Sequence, residues 1–392
     1  MKLACPDGAD VAHPCRAVYF YGHDGKRHAF PHERIYYTWY SDFSGVRVIS
    51  ADEMAALPLG RNVVYRPGSK LVKFLTDPKT YAVGLGGELR WVTSESAATA
   101  LYGSGWNKTT DDIPDSLYPD YSFGLQIASV ADFSPQAELA AAPSIDDNLP
   151  ATQRSISVAT SRGTFSVELI KLQVSRFRMV TDAAEDSDCS DGCLAKSLGA
   201  YAQDNGATVG IHGTYFCPPD YADCAAKTNS FLWPFFDSVS RTMLNASSLP
   251  VHEGPMLTLG ADGRYRFYHR TEDFGSVSGF ESGNGTTLEA AVANYPSLIE
   301  SGVIVVDSEP KLDEGMETVK GTRGGIGIDN RFVQLVIAKS ATVLDLTDIL
   351  AALGAQDAMN LDGGGSAALL FDGEYVVGPG RLLPNAILFV PR

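Results

Sequence analysis

The chain has 392 residues, of which 44% are hydrophobic and 20% charged, a mixture typical of folded rather than disordered proteins. Its 47 acidic and 31 basic residues give a net charge of −16, which disfavours nucleic acids and anionic membranes as partners. The length favours two or three domains, and no apolar run approaches the roughly eighteen residues of a transmembrane segment.

The first residues contain no secretion signal, because Met1 and Lys2 run directly into Leu3-Ala4-Cys5-Pro6 without an apolar segment. We therefore expect either that a leader has been removed or that the gene begins upstream of Met1.

Residues 1–125 are predicted to form a tandem-repeat module, with units at about 1–62 and 63–125. The segment 19–26 aligns with 81–88, and each copy predicts a strand, a glycine turn, a second strand and a helix start. A pair of such units resembles small tandem modules of extracellular bacterial proteins, a resemblance that implies no ligand.

Four aromatic residues of this module, Trp39, Tyr40, Trp91 and Trp106, have two interpretations. Most of them are expected in the core, and a glycan-stacking face is the alternative. Residues 126–153 follow, rich in alanine, proline and acidic residues without periodicity, and this composition predicts a linker.

Six cysteines fall into three close pairs, Cys5 with Cys15, Cys189 with Cys193, and Cys217 with Cys224. Local pairing needs the least chain rearrangement, and no pair has the Cys-x-x-Cys spacing of zinc sites. The sequence therefore predicts three local disulfides and a secreted or cell-envelope location, with free thiols or metal binding as the alternative.

Residues 154–392 are predicted to form an α+β domain in which most strands pair locally. Alternating or apolar runs predict strands at 155–160, 164–170, 207–211, 326–328, 332–338, 358–361, 367–371 and 374–377. Helical spacing and capping residues predict helices near 194–206, 286–294 and 344–353.

The sharpest local signal is the segment Asn360-Leu361-Asp362-Gly363-Gly364-Gly365-Ser366. Asn360 and Asp362 are alternate residues of a short strand and so share a face. The three glycines let backbone N–H groups approach a ligand closely. The segment suits an anionic, hydroxyl-rich substrate; the alternative is a glycine-rich hairpin with a solvated aspartate.

Together with His212-Gly213-Thr214-Tyr215-Phe216 and the segment 321–329, this block resembles the phosphodiester glycosidase family over roughly residues 155–392. One departure is His212, since family members usually carry asparagine there. The resemblance implies hydrolysis of a sugar 1-phosphodiester, of the N-acetylglucosamine-1-phosphate type, in extracellular or cell-envelope glycans. It implies a phosphorylated glycan or polysaccharide as the partner.

Cleavage at the anomeric carbon passes through an oxocarbenium-like state that needs a carboxylate nearby. Asp362 is our candidate nucleophile or general base. The leaving phosphate has a second pKa of about 6, so a cation can replace much of the usual general acid, and Arg323 is our candidate for this bidentate contact. The predicted substrate-binding residues are Asn360, Gly363, Gly364, Gly365, Ser366, His212 and Tyr215.

No cofactor is predicted, although a divalent cation such as calcium stays open. Asp329, Asp345, Asp348 and Asp362 lack the spacing of any metal-binding motif. Two other functions stay open, a non-catalytic protein that binds envelope polysaccharide and a metal-dependent phosphodiesterase that cuts the P–O bond. The sugar and the oligomeric state are not defined by the sequence.

Overall fold

A computed structural model describes residues 1–306, 312 and 314–392. The chain divides into two compact units, Met1–Thr152 and Gln153–Arg392. In this described part of the chain, no helix combines the length and the apolar character needed to span a membrane.

The first unit is built on a five-stranded sheet of order β8-β5-β6-β7-β9, with two further two-stranded sheets, β1-β4 and β2-β3. Its strands are β1 (Lys2–Leu3), β2 (Tyr19–Tyr21), β3 (Arg27–Ala29), β4 (Val48–Ile49), β5 (Leu71–Phe74), β6 (Tyr81–Val83), β7 (Glu88–Trp91), β8 (Asp111–Ile113) and β9 (Ser122–Phe123). Its helices are α1 (Glu33–Trp39), α2 (Ala51–Ala56), α3 (Glu95–Tyr102), α4 (Trp106–Thr109) and α5 (Pro135–Ala141), with 3-10 turns at Pro14–Arg16, Leu85–Gly87, Asp115–Asp120 and Asp146–Asn148.

Both predicted hairpin-and-helix segments are present, as β2-β3-α1 and as β6-β7-α3. Their surroundings differ, because β2 and β3 form a sheet of their own whereas β6 and β7 lie within the five-stranded sheet. The tandem repeat therefore stays a prediction. Trp39, Trp91 and Trp106 pack against the cores of this unit, and Tyr40 is the exposed member of the four aromatic residues.

The segment 126–153, predicted to be a linker, is folded. Most of this segment belongs to the first unit and contains α5 and a 3-10 turn. Ile127, Phe133 and Ile145 are almost fully buried in its cores. The alanine-rich composition suggested a flexible chain, but a few apolar residues separated by polar ones are enough to anchor the segment.

The second unit has an α+β fold with three principal sheets. Its strands are β10 (Ala151–Thr160, which begins just before the boundary), β11 (Gly163–Gln173), β12 (Phe177–Ala183), β13 (Val209–His212), β14 (Phe235–Asp237), β15 (Thr242–Leu244), β16 (Met256–Gly260), β17 (Tyr265–Tyr268), β18 (Leu288–Ala293), β19 (Ser297–Glu300), β20 (Val303–Ile304), β21 (Gly321–Ile328), β22 (Phe332–Ala341), β23 (Asp357–Gly363), β24 (Leu369–Phe371), β25 (Glu374–Val377) and β26 (Asn385–Pro391). Its helices are α6 (Leu198–Asn205), α7 (Thr271–Phe274), α8 (Val277–Asn284), α9 (Glu314–Thr318) and α10 (Val343–Ala352), with 3-10 turns at Ala222–Cys224, Ala246–Ser248 and Gly364–Ser366.

The sheets of this unit combine hairpins with long-range pairs. Their orders are β10-β11-β22-β21-β23-β19-β20, β12-β26-β13-β24-β25 and β15-β14-β18-β16-β17. The predicted hairpins β21-β22 and β24-β25 are confirmed. The pairs β11-β22 and β12-β26 join strands that are far apart in the chain.

Apolar faces of the helices cover these sheets. Leu346, Ile349 and Leu350 of α10 pack on the seven-stranded sheet, and the capping box of Thr342 and Asp345 fixes the start of this helix. The helix predicted near 286–294 is instead the strand β18, in which nearly every residue is buried. A strand covered on both faces gives a continuous apolar run, which periodicity cannot distinguish from a buried helix.

All three predicted disulfides are formed, Cys5–Cys15, Cys189–Cys193 and Cys217–Cys224. The last two lie in neighbouring loops, because Asn229 Nδ2 donates a hydrogen bond to the Cys193 carbonyl at 3.0 Å. The disulfides thus tie down two loops that have little regular secondary structure of their own.

Candidate active site

The candidate site lies where strands from the three sheets of the second unit meet. The last residue of β13 is His212, and β23 contains Asn360 and Asp362. Asn294 directly follows β18. A backbone hydrogen bond of 3.2 Å from the Asp362 N–H to the Gly213 carbonyl joins the ends of β13 and β23.

His212 is completely buried and connects two backbone segments. Its Nε2 lies 2.7 Å from the carbonyl oxygen of Asp362, so this nitrogen carries a hydrogen and donates it. Its Nδ1 accepts from the Ala368 N–H at 3.2 Å. Because both ring nitrogens have backbone partners, His212 holds the backbone of Asp362 in position. The substrate-binding role predicted for this residue stays a prediction.

Gly324 of β21 makes room for this histidine. A Cβ atom at Gly324 would lie 2.3 Å from His212 Nε2 and 2.9 Å from the Asp362 carbonyl oxygen, closer than any real contact of this kind. The imidazole can reach the Asp362 carbonyl only because this position lacks a side chain.

The Asp362 carboxyl is enclosed by protein, although the residue as a whole is half-buried. Its Oδ1 accepts from the Gly363 N–H at 2.8 Å, and the Ser366 hydroxyl also bonds to it. Burial raises the pKa of this carboxyl above its usual value, and the interactions with His212, Gly363, Ser366 and Arg381 oppose the rise only in part. An acid whose pKa is raised in this way is a typical candidate for catalysis.

A network of amides holds the neighbouring segment. Asn360 is buried, and its Nδ2 donates to the Tyr215 hydroxyl at 2.6 Å and to the Tyr295 carbonyl at 3.0 Å. Asn294 bridges the same two segments, because its Oδ1 accepts from the Tyr215 N–H and its Nδ2 donates to the Asn360 carbonyl. These bonds fix Tyr215 beside β23.

The two arginines near this region have different positions. Arg323 donates through Nε to the Ala341 carbonyl at 3.2 Å and through Nη2 to the Val319 carbonyl at 2.6 Å. Arg323 lies opposite Gly363 of β23, next to a register shift, but its guanidinium is directed to the Val319 and Ala341 carbonyls. The structure does not bring Arg323 together with the Asp362 carboxyl.

Arg381 lies next to the glycine-rich turn instead. Its guanidinium carbon lies 2.9 Å from where a Cβ of Gly365 would stand, and its backbone N–H donates to the Gly365 carbonyl. Its charge helps to lower the pKa of Asp362. Nη2 also contacts Asp220 at 2.6 Å, and the guanidinium lies over the Tyr221 ring, so the Cys217–Cys224 loop orients this arginine.

The predicted site residues thus separate into two layers. Tyr215, Asp362 and the turn Gly363-Gly364-Gly365 reach the surface, and Gly364 has the positive φ of 58° that favours glycine. His212, Asn360 and Ser366 are buried beneath them and support them. Within the described residues, no three His, Cys, Asp or Glu side chains group as a metal centre.

Sequence reasoning missed Arg381, Asp220 and Asn294. Arg381 follows the segment Gly378-Pro379-Gly380, and an arginine inside a glycine-rich turn beside a glycine-rich motif is a weak signal that was available. Asp220 and Asn294 had no local signal, because only the fold brings them to the site.

The family model described as phosphodiester glycosidase matches residues 235–390, which include β18, β21, β23 and the glycine-rich turn. This part of the second unit is therefore similar to phosphodiester glycosidase domains. His212 and Tyr215 lie before the matched range. No curated protein is similar enough to match the chain.

Solved structures give further matches. The catalytic domain of zebrafish N-acetylglucosamine-1-phosphodiester alpha-N-acetylglucosaminidase, auto-inhibited by its pro-peptide, has a TM-score of 0.46 at 14% identity, over 62% of this chain and 83% of that chain. A hypothetical protein from Synechocystis has a TM-score of 0.43 at 15% identity, over 62% of each chain. A putative exported protein from Burkholderia pseudomallei has a TM-score of 0.36 at 11% identity, over 58% of this chain and 74% of that chain.

Proposed function

We propose that the second unit hydrolyses a sugar 1-phosphodiester, of the N-acetylglucosamine-1-phosphate type, in extracellular or cell-envelope glycans. The observation that carries this proposal is the enclosed Asp362 carboxyl beside the glycine-rich turn and the Arg381 guanidinium. This arrangement combines a carboxylate for the anomeric carbon with a cation for the phosphate. The three disulfides support a location in an oxidising compartment.

In the proposed reaction, Asp362 attacks the anomeric carbon or activates a water molecule that does so. The bond between that carbon and the phosphate oxygen breaks, and the phosphate monoester leaves with the bonding electrons. Because this leaving group is already a weak base, Arg381 needs only to neutralise its charge. His212 acts indirectly, since its hydrogen bond holds the backbone of Asp362 in place.

The test is a panel of sugar 1-phosphodiesters hydrolysed in isotopically labelled water. We expect the label in the released sugar, which shows cleavage of the C–O bond. Label in the phosphate, with activity lost on adding a chelator, would identify a metal-dependent phosphodiesterase. Binding without turnover would identify a polysaccharide-binding protein.

Matched arginine variants test which cation acts on the phosphate. Arg381→Lys keeps the charge but loses the planar fork, so kcat/KM for phosphodiesters should fall by roughly tenfold or more. The loss should be smaller for a sugar with an uncharged leaving group. Arg266→Lys is the control, because Arg266, on β17, forms an ion pair of the same length, 2.6 Å, with Asp262.

The same comparison examines the assignment made from sequence. If Arg323→Lys causes the charge-selective loss and Arg381→Lys does not, Arg323 is the phosphate-binding cation and our reading of the geometry is wrong. An equal loss for charged and uncharged substrates would mean that neither guanidinium acts on the phosphate.

A further inference from the structure

A cavity of about 650 Å³ opens beside Tyr215. Its lining includes Tyr215, Phe216, Phe231 and Trp233, together with Lys227. The hydroxyl of Tyr215 bonds to Asn360, two residues before Asp362, so Tyr215 connects the cavity lining to the strand that carries the candidate carboxylate. The volume lies within the range of roughly 300–1,000 Å³ that is typical of small-molecule sites.

Several polar groups of this lining already have partners within the protein. Ser230 Oγ donates to the Lys227 carbonyl at 2.7 Å, and Asn245 Nδ2 donates to the Phe231 carbonyl at 2.9 Å. Asp188 accepts from the Asn245 N–H at 2.6 Å. A sugar ring would need several free hydrogen-bonding groups, whereas this lining offers mainly apolar surface. The cavity therefore suits an apolar occupant better than a carbohydrate.

The charge of Lys227 also restricts which ligands suit the cavity. Within the described part of the chain, no carboxylate lies at ion-pair distance from its ammonium group. The lining also contains the Asp188 carboxylate, but its Oδ1 already accepts from the Asn245 N–H, so a lysine beside aromatic side chains favours a ligand that joins an apolar group to an anion. A phosphodiester with an apolar alcohol as one of its esters has this chemistry.

We propose that the cavity binds the apolar alcohol that is esterified to the phosphate, on the side away from the sugar. This inference rests on the proposed function and narrows its substrate class to glycosyl phosphodiesters of apolar alcohols. Hydrolysis breaks the bond between the anomeric carbon and the phosphate oxygen. Water supplies the hydroxyl of the sugar, and the phosphate monoester of the apolar alcohol is the second product.

Two substrates with the same sugar test the proposal, one with a methyl and one with an octyl ester on the phosphate. The full chain should hydrolyse the octyl ester with a kcat/KM at least about tenfold higher, because each buried methylene contributes to binding. Phe231→Ala should bring this ratio toward one. Phe267→Ala is the matched control and should leave the ratio unchanged, because Phe267 does not line the cavity. The two phenylalanines are otherwise alike: both are partly buried, and their rings lie 6.0 Å (Phe231) and 6.2 Å (Phe267) from a neighbouring ring.

A second measurement needs no variant. Octyl phosphate should inhibit hydrolysis of the methyl ester competitively, at a concentration at least about tenfold below that of methyl phosphate. Hydrolysis of both esters with equal kcat/KM, or equal inhibition by the two phosphates, would overturn the cavity assignment and leave the proposed function standing. Failure to hydrolyse either ester would overturn the proposed function itself.

Discussion

At the scale of single residues, the proposed reaction depends on Asp362. Asp362→Asn keeps the shape of the side chain but removes the charge that would attack or stabilise the anomeric centre. We expect kcat to fall by roughly a thousandfold or more, because such a group supplies several kcal/mol of transition-state stabilisation. Steady-state kinetics and a melting curve would check this. Near-full activity in a folded variant would make the carboxylate structural.

The raised pKa of Asp362 gives this variant a second signature. A folded-state pKa above the unfolded one favours the protonated form, so this stabilisation is complete at low pH and is lost as pH rises through the folded pKa. Asparagine cannot ionise, so Asp362→Asn should melt at the same or a higher temperature than the wild type at pH 7. The difference should close below about pH 4. A variant markedly less stable at neutral pH would contradict the burial argument.

His212 and Gly324 form a coupled pair. Gly324→Ala should reduce both stability and activity, because its Cβ would overlap the imidazole. Asparagine is shorter than histidine, so in a His212→Asn background the added methyl group has more room. Gly324→Ala should therefore be less damaging in that background. A double-mutant cycle on unfolding free energy measures this, and additive effects would show that the two positions do not interact.

The site could be predicted from sequence only where it is continuous. The block from Asn360 to Ser366 indicated a carboxylate beside a glycine turn, and the structure places these residues together. The layering within the site could not be predicted, because burial of His212 and Asn360 depends on strands from other sheets. Arg323 was chosen from the motif alone; its guanidinium donates to the Val319 and Ala341 carbonyls, and its contact with the phosphate stays a prediction.

At the scale of elements, the Cys217–Cys224 loop positions Arg381. It carries Asp220 and Tyr221, which orient the Arg381 guanidinium. Replacing both cysteines with serine should cost about 2 kcal/mol of stability, at the low end for disulfides because the loop is short. It should also lower kcat/KM, while the equivalent change at Cys5 and Cys15 in the first unit should leave kcat/KM as it is. Enzyme assays on the two double variants would separate these effects, and equal losses would contradict a role for the loop at Arg381.

Elements with strong local signals were predicted correctly. The hairpins β21-β22 and β24-β25 have turn residues between alternating strands, and α10 has both a capping residue and a clear apolar face. β18 was misread because its capping pattern and apolar run fit a helix equally well. The partners of β11 and β12 could not be predicted, since long-range pairing leaves no local mark.

At the scale of the whole molecule, the division near residue 153 has a direct test. A fragment of residues 150–392, which retains the whole of β10, should fold and hydrolyse the substrate without the first unit, because each unit has its own hydrophobic cores. Soluble expression followed by an activity assay would check this. A fragment that is insoluble when the full chain is soluble would show that the two parts do not fold independently.

The order of strands in the second sheet also determines when the enzyme can form during synthesis. Among the described residues, β12 pairs with β26, which is the last strand of this sheet to be made, and β26 also pairs with β13, which ends at His212. While the ribosome is still translating, the edge of β12 therefore has no partner strand in its sheet. The nascent chain therefore has no assembled candidate site until residues 385–391 have left the ribosome and joined the sheet.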